Sequence, residues 1–425
     1  MRGAVKSLHL ITCEYPPAVG GVSEHSRVVA EAAAAEGYDV HVWTATNGAG
    51  SPRVHVRPAL GDFSAAALAR TDAALNECPA PRQVIVQWVP HGYGRKGLNV
   101  AFSRWIRRRA RAGDRIDLIV HEPFIDYFGD SVASSWRQPA AALVQRYMTW
   151  TVVRAAERVW LTIPGWERRL RFARSQDQPA PRLLPVSGTI PPVRDAAAVA
   201  TLRSSLLKGQ SRLIGYFGAG GRYPFDALRA AVAGLAAHDV AFVCIGRGSD
   251  ALASQLQAAD PAPTVPVTGT GALALDRVSL HLQACDALMQ PYPDGVSGRR
   301  TTTISALEHA VPVATTVGWL SEPFWSEAPA VETVPATAAA TLPAALLRLL
   351  EPARNAAARA GAVALYRERF DPARTLKALF TAIELPTSAE AAAARRPAST
   401  EVSGLPEPGT SERFPRTRAG RAPTQ

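Results

Sequence analysis

Short runs of β-forming residues alternate with longer helical patterns along most of the chain, and this alternation begins twice. The first round has apolar runs at 8–11, 40–44, 84–89 and 118–120, with a helix over about 23–36 between the first two. Strand–helix–strand alternation needs crossover connections, so the strands must lie parallel in a sheet with helices on both faces. Helical material over about 140–156 precedes a run at 159–162, and 181–192 is a proline-rich connection. The second round starts at Ser211, with predicted strands at 213–217, 240–245, 265–267, 287–289 and 313–315. Helices are predicted over about 224–237, across 301–310, and over about 341–350, where Pro343 suits a first turn.

A chain of 425 residues is too long for one ordinary core. The fold class predicted is therefore α/β, with two Rossmann-like, doubly wound domains whose strand ends open on a shared crevice. The boundaries predicted are 1–190 and 191–370, then a helix over 371–387 packing back on the first domain. The tail 388–425 is dominated by Pro, Ala, Thr, Ser, Arg and Glu and is expected to be disordered.

The formal net charge of +11 points to anionic partners, whether nucleotide diphosphates, acidic lipid headgroups or nucleic acid. Cys13, Cys78, Cys244 and Cys285 are scattered without metal-ligand spacing and read as buried thiols in a reducing compartment. The N-terminus has no signal-peptide pattern, and no uncharged apolar stretch is long enough to span a bilayer. A cytoplasmic location is expected, with any membrane contact peripheral. Two segments bear on that contact. Arg104 to Arg111 is basic with Trp105 and Ile106 embedded in it, and 167–171 repeats the pattern. Both read as an interfacial membrane helix or as an ordinary solvated face. No stacking aromatics interleave with the cations and no nucleic-acid module is present, so nucleic acid is not expected as a partner.

Gly20 and Gly21 fall at the first β-to-α turn, in Glu14-Tyr15-Pro16-Pro17-Ala18-Val19-Gly20-Gly21-Val22-Ser23-Glu24-His25. Without Cβ atoms the backbone can approach a ligand, and the following helix offers free N–H groups at its positive end, a site for a phosphate. A purely structural turn is the plain alternative. The second round repeats the device at Gly218–Arg222, where Arg222 adds a cation. Gly246 and Gly248 at the next turn suit a base read by main-chain groups, or a plain loop. The most distinctive stretch is Pro291-Tyr292-Pro293-Asp294-Gly295-Val296-Ser297-Gly298-Arg299-Arg300-Thr301. Here Arg299 and Arg300 stand at the start of a helix beginning at Thr301, where cations oppose the helix dipole and need an anion between them. Guanidinium forks and free N–H groups make a diphosphate clamp. His121 closes a strand and so reaches the crevice, where it can hydrogen-bond a reacting hydroxyl or phosphate; His91 follows another strand, on the acceptor side.

Taken together these motifs resemble the family 4 retaining glycosyltransferases of the GT-B fold, over roughly residues 7 to 380. The matching residues are Tyr15-Pro16-Pro17, Gly20-Gly21-Val22 and His25, then His121-Glu122-Pro123, Pro185 to Pro191, Asp286, Pro291-Tyr292, Gly295, and His309 to Val313. The resemblance implies transfer of a sugar from a nucleotide diphosphate donor to a sugar, lipid-linked or other hydroxyl acceptor, with retention and without metal or bound cofactor, in polysaccharide or glycoconjugate synthesis. It also implies that Gly20, Gly21, Arg222, Arg299, Arg300 and Thr301 hold the departing diphosphate. Two departures stand out. Ser297 and Ser305 occupy the positions of two family glutamates that hold the donor nucleotide and sugar, with Asp294 as a substitute sugar contact, and the lysine expected soon after Arg222 is missing. A degenerate GT-B-like binding or regulatory protein is the rival expectation. A nicotinamide-dependent dehydrogenase fits poorly, because the full Gly-x-Gly-x-x-Gly fingerprint is absent.

Overall fold

Two sheets, parallel throughout, carry the chain. The computed structural model describes residues 6–125, 137–220, 222–259 and 264–384. The first sheet is built from β1 (Ser7–Ile11), β2 (Asp39–Trp43), β3 (Val54–Arg57), β4 (Gln83–Trp88), β5 (Arg115–Val120), β6 (Arg158–Leu161) and β7 (Arg182–Leu183). The second comprises β8 (Arg212–Phe217), β9 (Val240–Ile245), β10 (Val267–Gly269), β11 (Ala287–Gln290), β12 (Val313–Val317) and β13 (Val331–Pro335). Their orders are β3-β2-β1-β4-β5-β6-β7 and β10-β9-β8-β11-β12-β13. Each sheet therefore starts centrally, winds outward one way, then returns and winds outward the other way. The reversal lies between β1 and β4 in one sheet and between β8 and β11 in the other. Connections leave a reversal in opposite directions, so a crevice opens at the carboxyl ends of these strands.

Central strands explain the continuous apolar runs. β4 and β9 are buried at every position, as parallel strands covered by helices on both faces must be. Asp117 of β5 is fully buried and accepts from Arg158 at 2.8 Å, Gln83 at 2.6 Å and the Trp160 indole at 2.8 Å, so its charge meets donors on both neighbouring strands.

Several expectations need correction. β3, β7 and β13 were not anticipated: β7 is two exposed residues inside the proline-rich connection, too short to show a period. The strand expected at 265–267 lies at Val267–Gly269. Cys244 and Cys285 are buried and burial pushes both thiols up to about 12, but Cys13 and Cys78 are only partly covered; all four are free. Trp105 and Ile106 are fully buried in the first core, so they are not a lipid-facing stripe. No helix among the described residues is long and apolar enough to cross a membrane.

The last described helix, Pro372–Glu384, turns Leu376, Leu379, Phe380 and Ile383 to one side, the spacing of a buried helix face. That face joins the core formed by Leu8, Leu10, Val29 and Ala33 of the first sheet and its first helix. Residues 385–387 and the tail 388–425 lie outside the described residues. Replacing Phe380 with Ala should cost about 3–5 kcal/mol, read as a lower midpoint in chemical denaturation followed by tryptophan fluorescence.

Candidate functional site

At the first reversal, β1 runs through Thr12 to Glu14 and on to the helix Gly21–Ala35. Gly20 is the N-cap of that helix and has no side chain with which to cap it. The Glu14 carboxylate does so instead, accepting from the Ser23 N–H at 3.0 Å. Gly20 is extended, so its backbone does not demand glycine; the space its missing side chain leaves is taken by the end of the Glu14 side chain, which an added Cβ would displace from the cap. A Cβ on Gly21 would sit 3.9 Å from the Thr301 hydroxyl. The first helix of one sheet thus begins beside the first residue of the helix Thr301–Glu308 of the other. Two positive helix ends converge there.

The stretch before Thr301 folds around Gly295, whose φ of 88° lies in the left-handed region and whose Cβ would meet the Gly318 amide nitrogen at 2.2 Å. This tight turn points Asp294 back at both arginines. Asp294 Oδ2 accepts from Arg299 at 2.6 Å, and its other oxygen accepts from Arg300. Arg299 also reaches across to Glu122 of the first sheet, while its guanidinium lies 5.5 Å from the Trp166 ring centre. Arg300 lies 4.4 Å over the Tyr292 ring. The anion that the paired arginines require is therefore present within the chain, as Asp294 and Glu122, and the clamp is not vacant as sequence reasoning expected.

His121 follows β5 and is nearly buried. Its Nε2 meets Gln87 Oε1 at 2.6 Å, so the ring proton sits on Nε2 and Nδ1 carries the lone pair. Its ring packs edge-on against His25, with centres 4.9 Å apart. Burial, then the neighbouring His25 and Arg299, hold the His121 pKa well below the ordinary imidazole value, so the ring is neutral at neutral pH. His91, just past β4, is exposed and lies 3.5 Å from the second oxygen of Glu122.

Two adjoining hollows share Gly21 and Thr301. One, of about 440 Å³, is also bounded by Gly20, Gly218, Gly246, Arg247 and Ser305. The other, of about 220 Å³, is bounded by Glu14, His91, His121, Glu122 and Arg299. Of the predicted residues, Gly20, Gly21, Gly246, Thr301, Ser305, His91, His121 and Arg299 thus come together. Asp294 and Arg300 stand behind Arg299 and line neither hollow. Ser297 is fully buried and also lines neither; its hydroxyl and that of Ser305 have no hydrogen-bond partner among the described residues. Gly248 caps the helix Ser249–Gln257 with a left-handed φ of 79°, a backbone duty. Arg222 opens the helix Arg222–Gly234, but its side chain lies outside the described residues. Sequence reasoning assigned no role to Glu14 or Gln87, and took in Glu122 only as the middle of the motif His121-Glu122-Pro123. Glu122, adjacent to His121, was visible; Gln87 was hidden inside a strand and Glu14 needed the folded turn. Among the described residues no cluster of three or more His, Cys, Asp or Glu could hold a metal ion.

His25 is fully buried, and burial pulls its pKa to about 4. An unfolded imidazole titrates near 6.5, so between those values the unfolded chain binds more protons and stability must fall as pH falls. The loss should reach about 3 kcal/mol near pH 4. Denaturation midpoints across that window should drop, and His25→Phe should flatten the slope.

No protein-family model matches the chain, and no curated protein matches it. Solved structures do. A sucrose-phosphate synthase from Thermosynechococcus elongatus superposes with a TM-score of 0.66 at 18% identity, covering 89% of this chain and 98% of that one. WaaG, a glycosyltransferase involved in lipopolysaccharide biosynthesis, gives 0.59 at 16% identity over 87% and 98% of the two chains. Anabaena HepE in complex with UDP-glucose gives 0.62 at 15% identity over 89% and 99%. At these identities the likeness concerns architecture: the chain has the GT-B fold of these glycosyltransferases, two Rossmann-like domains built on parallel sheets.

Proposed function

We propose that the chain is a family 4 type retaining glycosyltransferase, moving a sugar from a nucleotide diphosphate donor to an acceptor hydroxyl in polysaccharide or glycoconjugate synthesis. The observation that carries this reading is the convergence of two helix N-termini at Gly21 and Thr301, with Arg299 and neutral His121 on the adjoining wall. HepE, of the same fold, was solved with UDP-glucose. On this reading the nucleoside occupies the 440 Å³ hollow, against Gly246 and Ser305, and the diphosphate lies across Gly20, Gly21 and Thr301. The transferred sugar then faces His121 and Glu122 in the smaller hollow.

The chemistry follows from where charge develops. The bond between the anomeric carbon and the phosphate oxygen breaks, and the departing diphosphate gains negative charge beside helix N–H groups and guanidinium donors. The acceptor oxygen bonds to the anomeric carbon on the face the phosphate leaves, and the acceptor proton passes to the leaving phosphate oxygen. His121 keeps its Nε2 proton on Gln87, which leaves Nδ1 to accept from a sugar hydroxyl. Arg299 exchanges Asp294 and Glu122 for phosphate oxygens, while Arg300 adds its charge from behind. The bidentate fork suits both partners.

A second reading, a non-catalytic GT-B-like binding protein, is favoured by Ser297 and Ser305 at the family's glutamate positions and by arginines already neutralised by carboxylates. Turnover separates the two. Calorimetric titration should show binding of a uridine or guanosine diphosphate sugar, weakened at least about tenfold in Arg299→Ala with Arg300→Ala, the loss of the charge-assisted Arg299 contact and of the Arg300 charge behind it. His121→Ala should retain nucleotide binding and lose donor hydrolysis or transfer. Nucleotide binding without any turnover would support the second reading, and no binding across a donor panel would remove the first.

A further inference from the structure

The helices Val100–Arg111 and Arg137–Val153 pack side by side on the outer face of the first sheet and contain no acidic residue. Their contacts form rungs. Arg104 lies 5.7 Å from the Tyr147 ring centre and donates to its hydroxyl at 3.3 Å, and Arg107 lies 5.8 Å over Trp150. Both pairs are offset by the same 43 residues, so the helices run parallel. Arg111 ends the first helix and Arg154 directly follows the second, its guanidinium 5.2 Å over Trp150. The nearest acids are committed elsewhere: Asp72 and Asp114 pair with Arg109, and Glu157 pairs with Arg115 and Arg158. Arg104, Arg108, Arg111 and Arg154 are exposed and have no ion pair among the described residues. Beside them, one turn apart on the second helix, Leu143 is 58% and Tyr147 39% exposed.

We propose that this face rests on an anionic lipid bilayer, with the four arginines among headgroup phosphates and Leu143 and Tyr147 at the boundary with the acyl chains. Charge complementarity selects a polyanion, and the apolar pair selects a bilayer over nucleic acid. A leucine set among phosphates and water has no use on a duplex, and guanidinium groups already cover Tyr147 and Trp150, which closes them to base stacking. The inner side of the same second helix holds the loop after His121: Gln145 Oε1 accepts from the Ile125 N–H at 3.0 Å, and the Thr149 hydroxyl donates to the Pro123 carbonyl. The bilayer face thus backs directly on the acceptor side of the cleft. The proposal stands apart from the glycosyl-transfer reading, since it needs only the surface.

Co-sedimentation of the full chain tests it, using neutral phosphatidylcholine vesicles and vesicles in which about one-third of the lipid is phosphatidylglycerol. The protein should sediment with the anionic vesicles alone and be released in about 0.5 M salt. Arg104→Gln, Arg108→Gln, Arg111→Gln and Arg154→Gln combined should weaken binding more than about tenfold at unchanged melting temperature. Leu143→Gln should weaken vesicle binding while leaving any binding to a DNA duplex as it was. Nucleotide-sugar titration should be the same in these variants and the wild type. Vesicle binding that survives the fourfold variant, or an equal preference for duplex DNA with Leu143→Gln without effect, would overturn the proposal.

Discussion

Two helix N-termini cannot be brought together without negative charge between them, and the centre of this molecule is organised around that requirement. At the reversal of the first sheet begins the helix that follows β1, at that of the second the helix that follows β11, and the two reversals face each other, so Gly21 and Thr301 nearly touch. The positive potential is raised further by Arg299 and Arg300. In the chain alone it is balanced from within: Glu14 caps the first helix, Asp294 joins both arginines, and Glu122 reaches Arg299 from the opposite sheet. Each of these carboxylates accepts charge-assisted hydrogen bonds, the strong kind, yet each is only partly buried or sits beside an open hollow.

This arrangement bears on how the site works under the proposed function. The donor's diphosphate diester matches in charge the two carboxylates it would displace and gains further negative charge as the sugar leaves, so the guanidinium donor favours the departing group over the entering one. The ion pair between Glu122 and Arg299 also links the two sheets, so the same exchange touches the relation between them. His121 lies on this route but takes no part in the charge balance, because burial keeps it neutral and Gln87 holds its proton on one nitrogen. A neutral ring with a fixed lone pair can orient a hydroxyl without repelling the cationic wall behind it.

The glycines divide by reason. Gly20 leaves the space that the Glu14 carboxylate occupies, and Gly295 is needed because its backbone is left-handed and wedged against Gly318. Both positions serve carboxylate placement. The phosphate-loop reading of the first turn and its structural reading are thus not alternatives: the space that glycine leaves is used by Glu14, at the helix end where an incoming anion would bind.

The two rounds of strand and helix, the turns that carry the site and the location of His121 at a strand end could all be read from residue order. Hydrophobic period and glycine placement are local properties, and parallel crossovers leave few topologies. β7 and β3 escaped because a short edge strand has no period to show, and Trp105 and Ile106 allowed two readings because a helix pattern does not say which neighbour covers it. Only the folded chain decided that. It placed Trp105 in the core, brought Glu122 to Arg299 from 177 residues away, and filled the arginine clamp with Asp294. Charge pairing and burial across two sheets depend on distances in space, and residue order constrains those only through the fold.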